Sequence, residues 1–109
     1  MRLSRRECAL GVADASTYRL SPLAEADLEE IWSYTAERWS PAQAEIYHEG
    51  IIAALEALAR GLRRGRPVAV RPGYLKLAVG AHLIFYRMTE AGIDVIRLLH
   101  QRMDVDLHL

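Results

Sequence analysis

The strongest constraint on the fold is a Ser-Pro pair that occurs twice, at Ser21-Pro22 and again at Ser40-Pro41. A serine side chain accepts a hydrogen bond from a free N–H at a helix start, and proline suits the first helical position because no N–H is needed there. Each pair therefore predicts the beginning of a helix. Since almost no linker separates the two helices, they must form an antiparallel hairpin.

Apolar residues follow both predicted starts at helical spacing. The two stripes are Ala24, Leu28, Ile31, Trp32, Thr35 and Trp39 in the first helix, and Ala44, Tyr47, Ile51, Leu55, Leu58 and Leu62 in the second. Gly61 is expected to end the second helix, because glycine readily adopts the left-handed conformation found there. One stripe per helix means that each helix buries a single face against another layer.

Segments typical of β-strands flank the hairpin, and Gly80-Ala81 suits a two-residue turn between two of them. The predicted strands are TYRLS (17–21), YLKLAV (74–79), HLIFYRM (82–88) and IDVIRLLH (93–100). The Gly-, Pro- and Arg-rich segment 61–73 is predicted to be a loop. The order β-α-α-β-β-β predicts an α+β domain in which the helical hairpin packs on a small antiparallel sheet.

A chain of 109 residues accommodates one domain with one core. Residues 1–16 fit no periodic pattern and are predicted to be a flexible N-terminal arm, which leaves 17–109 as the single domain. The sequence lacks an apolar run of about 18 residues and an apolar secretion signal, so no membrane contact is expected. The single cysteine, Cys8, fits a reducing cytoplasm, and the absence of ligand spacing predicts no metal and no cofactor.

The sequence separates its charges although its net charge is zero. Residues 22–59 hold eight acidic side chains and one arginine, a net charge of −7, whereas residues 60–109 hold nine basic and four acidic side chains, a net charge of +5. This division predicts a bipolar surface whose basic part could bind an acidic protein segment or nucleic acid. The alternative is that glutamates simply solvate the helices and arginines the loop.

The last two strands carry candidate catalytic residues. If Met88 lies opposite Ile93, then Arg87 faces Asp94, and one face of the sheet carries Leu83, Phe85, Arg87, Asp94, Ile96, Leu98 and His100. Cleavage of RNA needs a general base, a general acid and cations, which His100, Arg87 and Arg97 could supply. The structural alternative is a cross-strand pair between Arg87 and Asp94, with His100 at the sheet edge.

Three aromatic residues of the hairpin are candidates for either core packing or an interface. Trp32 and Trp39 share one face of the first helix, and Tyr47 lies near them on the second. Trp32 is expected to pack mainly in the core, and Trp39, at the helix end, to be partly exposed. The arginines of residues 60–66 could bind phosphate or an acidic helix, but no aromatic residues alternate with them as a single-strand stacking surface would require.

Several segments, taken together, carry a family resemblance: YRLSPLAEADLEEIW at the start of the domain, FYR in the penultimate strand and LLHQRMD at the end. They resemble the RelE/ParE toxin superfamily over about residues 17–104, and most of all its ParE (plasmid-stabilisation) branch. The resemblance implies a cytoplasmic toxin of a bacterial type II toxin–antitoxin pair. A ParD-like antitoxin would neutralise it in a hetero-oligomeric complex.

The two branches of the superfamily imply different targets. ParE-like members are associated with inhibition of DNA gyrase, and RelE-like members cleave mRNA on the ribosome with a basic cluster and a histidine or tyrosine near the chain end. Arg87 and His100 match such positions, with Arg97 as a further cation. No aromatic residue follows Arg102, however, and this departure favours a gyrase inhibitor that binds protein, without direct DNA binding, over an endoribonuclease.

This interpretation assigns two binding surfaces. The predicted target-binding residues are Arg87, His100, Gln101, Arg102 and Asp104, and the predicted antitoxin-binding residues are Trp32, Trp39, Tyr47, Arg63, Arg64 and Tyr86. Antitoxins of this kind carry an acidic amphipathic tail that folds on the toxin. A basic second half with an open apolar sheet face beside the helices would suit such a tail.

Overall fold

The structure, a computed structural model, describes residues 17–102. Its elements are β1 (Thr17–Leu20), α1 (Pro22–Arg38), α2 (Pro41–Ala59), β2 (Arg66–Pro67), β3 (Leu75–Val79), β4 (His82–Met88) and β5 (Gly92–His100). The predicted arm of residues 1–16 and the predicted target-binding residue Asp104 lie outside the described residues. The α+β architecture with a helical hairpin is confirmed.

Both helices begin where the Ser-Pro pairs predict. The Ser21 hydroxyl accepts a hydrogen bond from the N–H of Ala24, and the Ser40 hydroxyl accepts one from the N–H of Gln43, each at 3.0 Å. The second helix ends at Ala59, and Gly61 has the left-handed φ of +78° expected of a terminating glycine. Leu62 therefore lies beyond the helix and is 73% exposed, so its predicted place in the buried stripe is wrong.

The sheet is mixed and five-stranded, in the order β1-β5-β4-β3-β2. The antiparallel pairing predicted for the last three strands is confirmed. The first strand differs from an antiparallel sheet, because β1 pairs parallel to β5, from Thr17 opposite Gly92 to Leu20 opposite Val95. Part of the predicted loop also forms the short strand β2, which pairs with β3. The β3–β4 turn at Gly80-Ala81 forms as predicted.

A β-bulge changes which side chains share a face of the sheet. Met88 lies opposite Ile93 and Arg87 opposite Asp94, as predicted, but an extra residue on β5 shifts the pairing beyond that point. Phe85 therefore faces Arg97, and His82 faces His100. Because side chains alternate along a strand, a one-residue shift moves every later residue to the other face, so the predicted face of residues 97–100 is wrong.

The main core lies between the hairpin and one face of the sheet. It contains Leu28, Ile31, Ile51, Leu55, Leu58, Ile84, Tyr86, Ile93, Val95 and Leu98. A smaller cluster forms on the opposite face, where Val68 packs with Phe85 and Leu99, and Tyr74 and Leu83 lie against them. The segment after β2 thus covers part of the sheet face that the sequence predicted to be open.

Candidate functional site

The three predicted catalytic residues are not brought together. Arg87 is exposed near the β4–β5 turn, opposite Asp94. His100 lies at the other end of β5, six residues from Asp94, which is roughly 20 Å along an extended strand. The predicted pairing of Arg87 with Asp94 gives no ion pair, although the two residues are directly opposite.

Arg97 is engaged in a structural ion pair with Asp27 of α1. Its Nε and Nη2 atoms donate to the two Asp27 carboxylate oxygens at 2.7 and 2.9 Å. The same carboxylate accepts the N–H of Leu98 at 3.0 Å, on the edge of β5 that β1 does not cover. The hydrogen bonds and charge of Asp27 raise the pKa of Arg97. Its guanidinium is therefore committed to the fold.

A different group of side chains meets at the end of β5, and we call Tyr47, His82 and His100 the strand-end cluster. The Tyr47 hydroxyl lies 2.7 Å from Nδ1 of His82. The His82 and His100 rings meet edge to face, with centroids 5.3 Å apart. One member comes from α2 and the others from opposite positions on β4 and β5, so the fold alone assembles the cluster.

Hydrogen bonds join the cluster to the β3–β4 turn and to the start of the tail, the chain that follows His100. The Tyr47 hydroxyl donates to the Val79 carbonyl at 3.2 Å and accepts the N–H of Ala81 at 3.0 Å. The Gln101 N–H donates to the Ala81 carbonyl at 2.9 Å, and its side-chain amide donates to the Gly80 carbonyl at 2.8 Å. Gln101 is therefore held against the β3–β4 turn.

Burial lowers the pKa of His82, and the neighbouring His100 lowers it further, while the more distant Asp27 carboxylate raises it in part. A neutral imidazole has one N–H donor and one acceptor nitrogen, so it can take part in hydrogen bonds and in proton transfer. The strand-end cluster thus brings two imidazoles and a phenol together directly before the exposed residues Gln101 and Arg102.

The predicted antitoxin-binding residues differ in accessibility. Tyr86 is 1% exposed, and its hydroxyl accepts the N–H of Gly65 at 2.7 Å, so burial removes it from the surface that a partner can reach. Tyr47 is bound within the strand-end cluster. Trp32 is partly exposed, with its Nε1 atom 3.3 Å from a Glu45 carboxylate oxygen, whereas Trp39 is 70% exposed. Arg63 and Arg64 are also exposed.

The sequence pattern does not single out His82 as a member of any site. His82 opens β4 and His100 ends β5, so the hairpin alone places both near one of its ends, but only the β-bulge puts them directly opposite each other. Within residues 17–102, no three His, Cys, Asp or Glu side chains are grouped so as to hold a metal ion. No helix in the same range is long and apolar enough to cross a membrane.

The family model of the ParE toxin of type II toxin-antitoxin systems (parDE) matches residues 18–105. The chain belongs to the ParE toxin family. Toxin ParE1 of Mycobacterium tuberculosis is 52% identical over 97 residues, which cover 87% of this chain and 99% of that protein. Toxin ParE1 of Caulobacter vibrioides is 41% identical over 93 residues, covering 84% of this chain and 96% of that protein. The resemblance to the ParE-like branch is thus confirmed.

Two solved structures share this ParE fold at 21% sequence identity. One, from the chromosomal ParDE toxin–antitoxin system of P. aeruginosa, has a TM-score of 0.66 and covers 76% of this chain and 92% of that chain. The other, from the toxin–antitoxin complex RelBE2 of Mycobacterium tuberculosis, has a TM-score of 0.52 and covers 79% and 98%. At 21% sequence identity, these two similarities show a shared fold and nothing about activity.

Proposed function

We propose that this ParE-family toxin acts in the cytoplasm by binding DNA gyrase, without chemistry of its own, and that a ParD-like antitoxin neutralises it. The observation that carries the proposal is the commitment of Arg97 to Asp27, at 2.7 Å, while Arg87 and His100 lie at opposite ends of the last hairpin. A nuclease of the predicted kind would need these three groups around one phosphate.

The tail is the proposed contact with gyrase. Gln101 and Arg102 are exposed, and His100 lies beside them at the surface. The two Gln101 hydrogen bonds to the β3–β4 turn hold this residue in place before binding, which lowers the entropy cost of docking. Arg87, at the far end of the hairpin, would belong to a separate part of the contact.

The antitoxin would bind elsewhere, in a hetero-oligomer with the toxin. Trp39 is a large exposed aromatic residue, with partly exposed Trp32 on the same helix, and such residues often dominate binding energy when a partner covers them. Arg63 and Arg64 supply exposed positive charge for an acidic segment. An amphipathic antitoxin segment could use both features and fold as it binds.

The test is a supercoiling assay with purified gyrase and the purified toxin. We expect Arg102→Ala to abolish inhibition and to leave antitoxin binding intact, because Arg102 is not among the proposed antitoxin contacts Trp32, Trp39, Arg63 and Arg64. Arg38→Ala, which removes an exposed arginine of α1, is the matched control and should inhibit like the parent chain. Full inhibition by Arg102→Ala would exclude the tail as the contact, and no inhibition by any of these proteins would exclude gyrase as the target.

A second candidate function is ribosome-dependent cleavage of mRNA, and the strand-end cluster favours it. Two histidines in contact, one bonded to a tyrosine, are groups that general acid–base catalysis uses. If the toxin is a nuclease, His100→Ala should slow translation-coupled mRNA cleavage by roughly 10²–10⁴-fold. Cleavage by the parent chain with no effect on supercoiling would replace the gyrase proposal with this one.

A further inference from the structure

Three hydrogen bonds hold Gln101 and Arg102, and one of them depends on protonation. The two Gln101 bonds end on the carbonyl oxygens of Gly80 and Ala81, which accept at any pH. The third runs from the N–H of Arg102 to Nδ1 of His100, at 3.1 Å. A ring nitrogen accepts a hydrogen bond only while it carries no proton, so this bond exists only when His100 is neutral.

The surroundings of His100 would not replace the lost bond. His82 on β4 meets the His100 ring edge to face, and Arg102 on the tail brings a positive charge. Behind His82 lie the Tyr47 hydroxyl of α2 and, further away, the Asp27 carboxylate of α1, which is already paired with Arg97. No ion pair joins His100 to a carboxylate within residues 17–102. A protonated His100 would therefore lose its bond to the Arg102 N–H and stand near the positive charge of Arg102 without a compensating ion pair.

The rest of the strand-end cluster is insensitive to the same protonation. The Val79 carbonyl can only accept and the Ala81 N–H can only donate, so Tyr47 gives its proton to the first and accepts from the second. The single hydroxyl hydrogen of Tyr47 is thus used for Val79. Its contact with Nδ1 of His82 is then a hydrogen bond only if Nδ1 carries a hydrogen and donates it to Tyr47. Protonating His82 adds a hydrogen at Nε2 and leaves that bond in place. The turn that anchors Gln101 thus stays fixed.

We propose that His100 is a proton-sensitive latch that holds the backbone of Arg102 when neutral and releases it when protonated. The inference rests on the proposed function, in which the tail binds the target. Loss of one such hydrogen bond on protonation corresponds to about three- to tenfold weaker inhibition at the lower pH. Neutral His100 is the latched state, so inhibition is stronger at the higher pH.

The test compares the parent chain with His100→Asn and His100→Ala at about pH 8 and about pH 6. The Asn carboxamide oxygen lies near the position of Nδ1 and accepts a hydrogen bond at either pH. Amide hydrogen exchange measured by NMR gives the protection of the Arg102 N–H directly, without the target. The Ala81 N–H, bonded to Tyr47, is an internal control in the same sample and should stay protected throughout.

We expect the Arg102 amide of the parent chain to lose protection between the two pH values. In His100→Asn its protection should not change with pH, and in His100→Ala the amide should be unprotected at both values. The ratio of gyrase inhibition at the two pH values should then be about three to ten for the parent chain and near one for His100→Asn. Unchanged Arg102 protection in the parent chain overturns the latch, whatever the gyrase result. Loss of protection without any gyrase inhibition instead refutes the target assignment.

Discussion

Asp27 binds the edge of β5 just beyond the point where its pairing with β1 ends. Its carboxylate accepts two hydrogen bonds from Arg97 and one from the N–H of Leu98, and both charged side chains are mostly buried. These three hydrogen bonds explain why α1 carries a carboxylate at position 27. The spacing of apolar residues along the helix does not reveal this role. The same contact explains why Arg97, a predicted catalytic cation, is unavailable for chemistry.

We expect Asp27→Ala to lower the free energy of unfolding by about 2 kcal/mol. The change leaves the Arg97 guanidinium and the Leu98 N–H without their partner while both remain partly buried. Urea unfolding measures the effect. Asp94→Ala is the matched control, because Asp94 makes no ion pair in the described chain, and it should change stability by less than about 0.5 kcal/mol. Equal losses in both variants would contradict this role for Asp27.

His82 should make the stability of the toxin depend on pH. Its pKa is lowered by burial and by His100 from the ordinary value of 6.5, so the unfolded chain binds a proton at pH values where the folded chain does not. Stability attributable to His82 is therefore complete above pH 6.5 and decreases as the pH falls towards the lowered pKa. Thermal unfolding of the parent chain and of His82→Gln over this range should show a shallower dependence in the variant. Parallel curves would contradict the shift.

At the scale of elements, local chemistry predicted the helices and the turns. The Ser21 and Ser40 caps, the terminating Gly61 and the Gly80-Ala81 turn each depend on a few neighbouring residues, and each forms as predicted. The β-bulge on β5 and the parallel partner of β1 depend on contacts between distant segments. No periodicity in one strand specifies them, which is why the predicted faces of Arg97 and His100 were wrong.

The candidate site shows the same division between local and distant information. His100, Gln101 and Arg102 could be selected from the sequence because polar residues directly follow an apolar strand. Tyr47 was selected for its place on the hairpin, and His82 was missed, since their contact joins residues 35 positions apart. The bulge that places His82 opposite His100 is the decisive feature, and it has no signature in the sequence.

The parallel pairing of β1 with β5 depends on Gly92. Its φ is +148°, and a Cβ at this position would overlap the Thr17 carbonyl oxygen. We expect Gly92→Ala to lower the free energy of unfolding by about 3 kcal/mol or more, since either the backbone or the pairing must shift. Gly73→Ala is the control: φ is +89° but no atom lies within 4 Å, so strain alone should cost about 1 kcal/mol. Urea unfolding of both variants measures the difference, and similar losses would show that the contact with β1 is unimportant.

At the scale of the whole molecule, the charge division of the sequence becomes a division between layers. The hairpin carries −7 over residues 22–59, whereas residues 60–102, which form the loop and four of the five strands, hold nine basic and two acidic side chains, a net charge of +7. Two of these cations, Arg66 and Lys76, lie directly opposite each other on β2 and β3. Like charges in this position destabilise a sheet unless an anion compensates them.

An acidic antitoxin segment would be such an anion, and Arg66→Gln tests this. Removing one of two opposed cations should raise the free energy of unfolding by a few tenths of a kcal/mol. The same change should weaken the complex with a ParD-like antitoxin by about two- to fivefold, because a surface ion pair is lost. Calorimetric titration at low and high salt measures the affinity, and the loss should shrink at high salt, where exposed charges are screened.

Arg19→Gln is the control for this experiment, because it removes an exposed arginine from β1, at the edge of the sheet opposite to β2. An acidic segment bound beside Arg66 predicts that this variant keeps its affinity. Equal weakening by both substitutions would mean that net charge alone governs binding. Weakening by Arg19→Gln only would place the antitoxin's acidic segment at the other edge of the sheet and leave the opposed pair of Arg66 and Lys76 without an explanation.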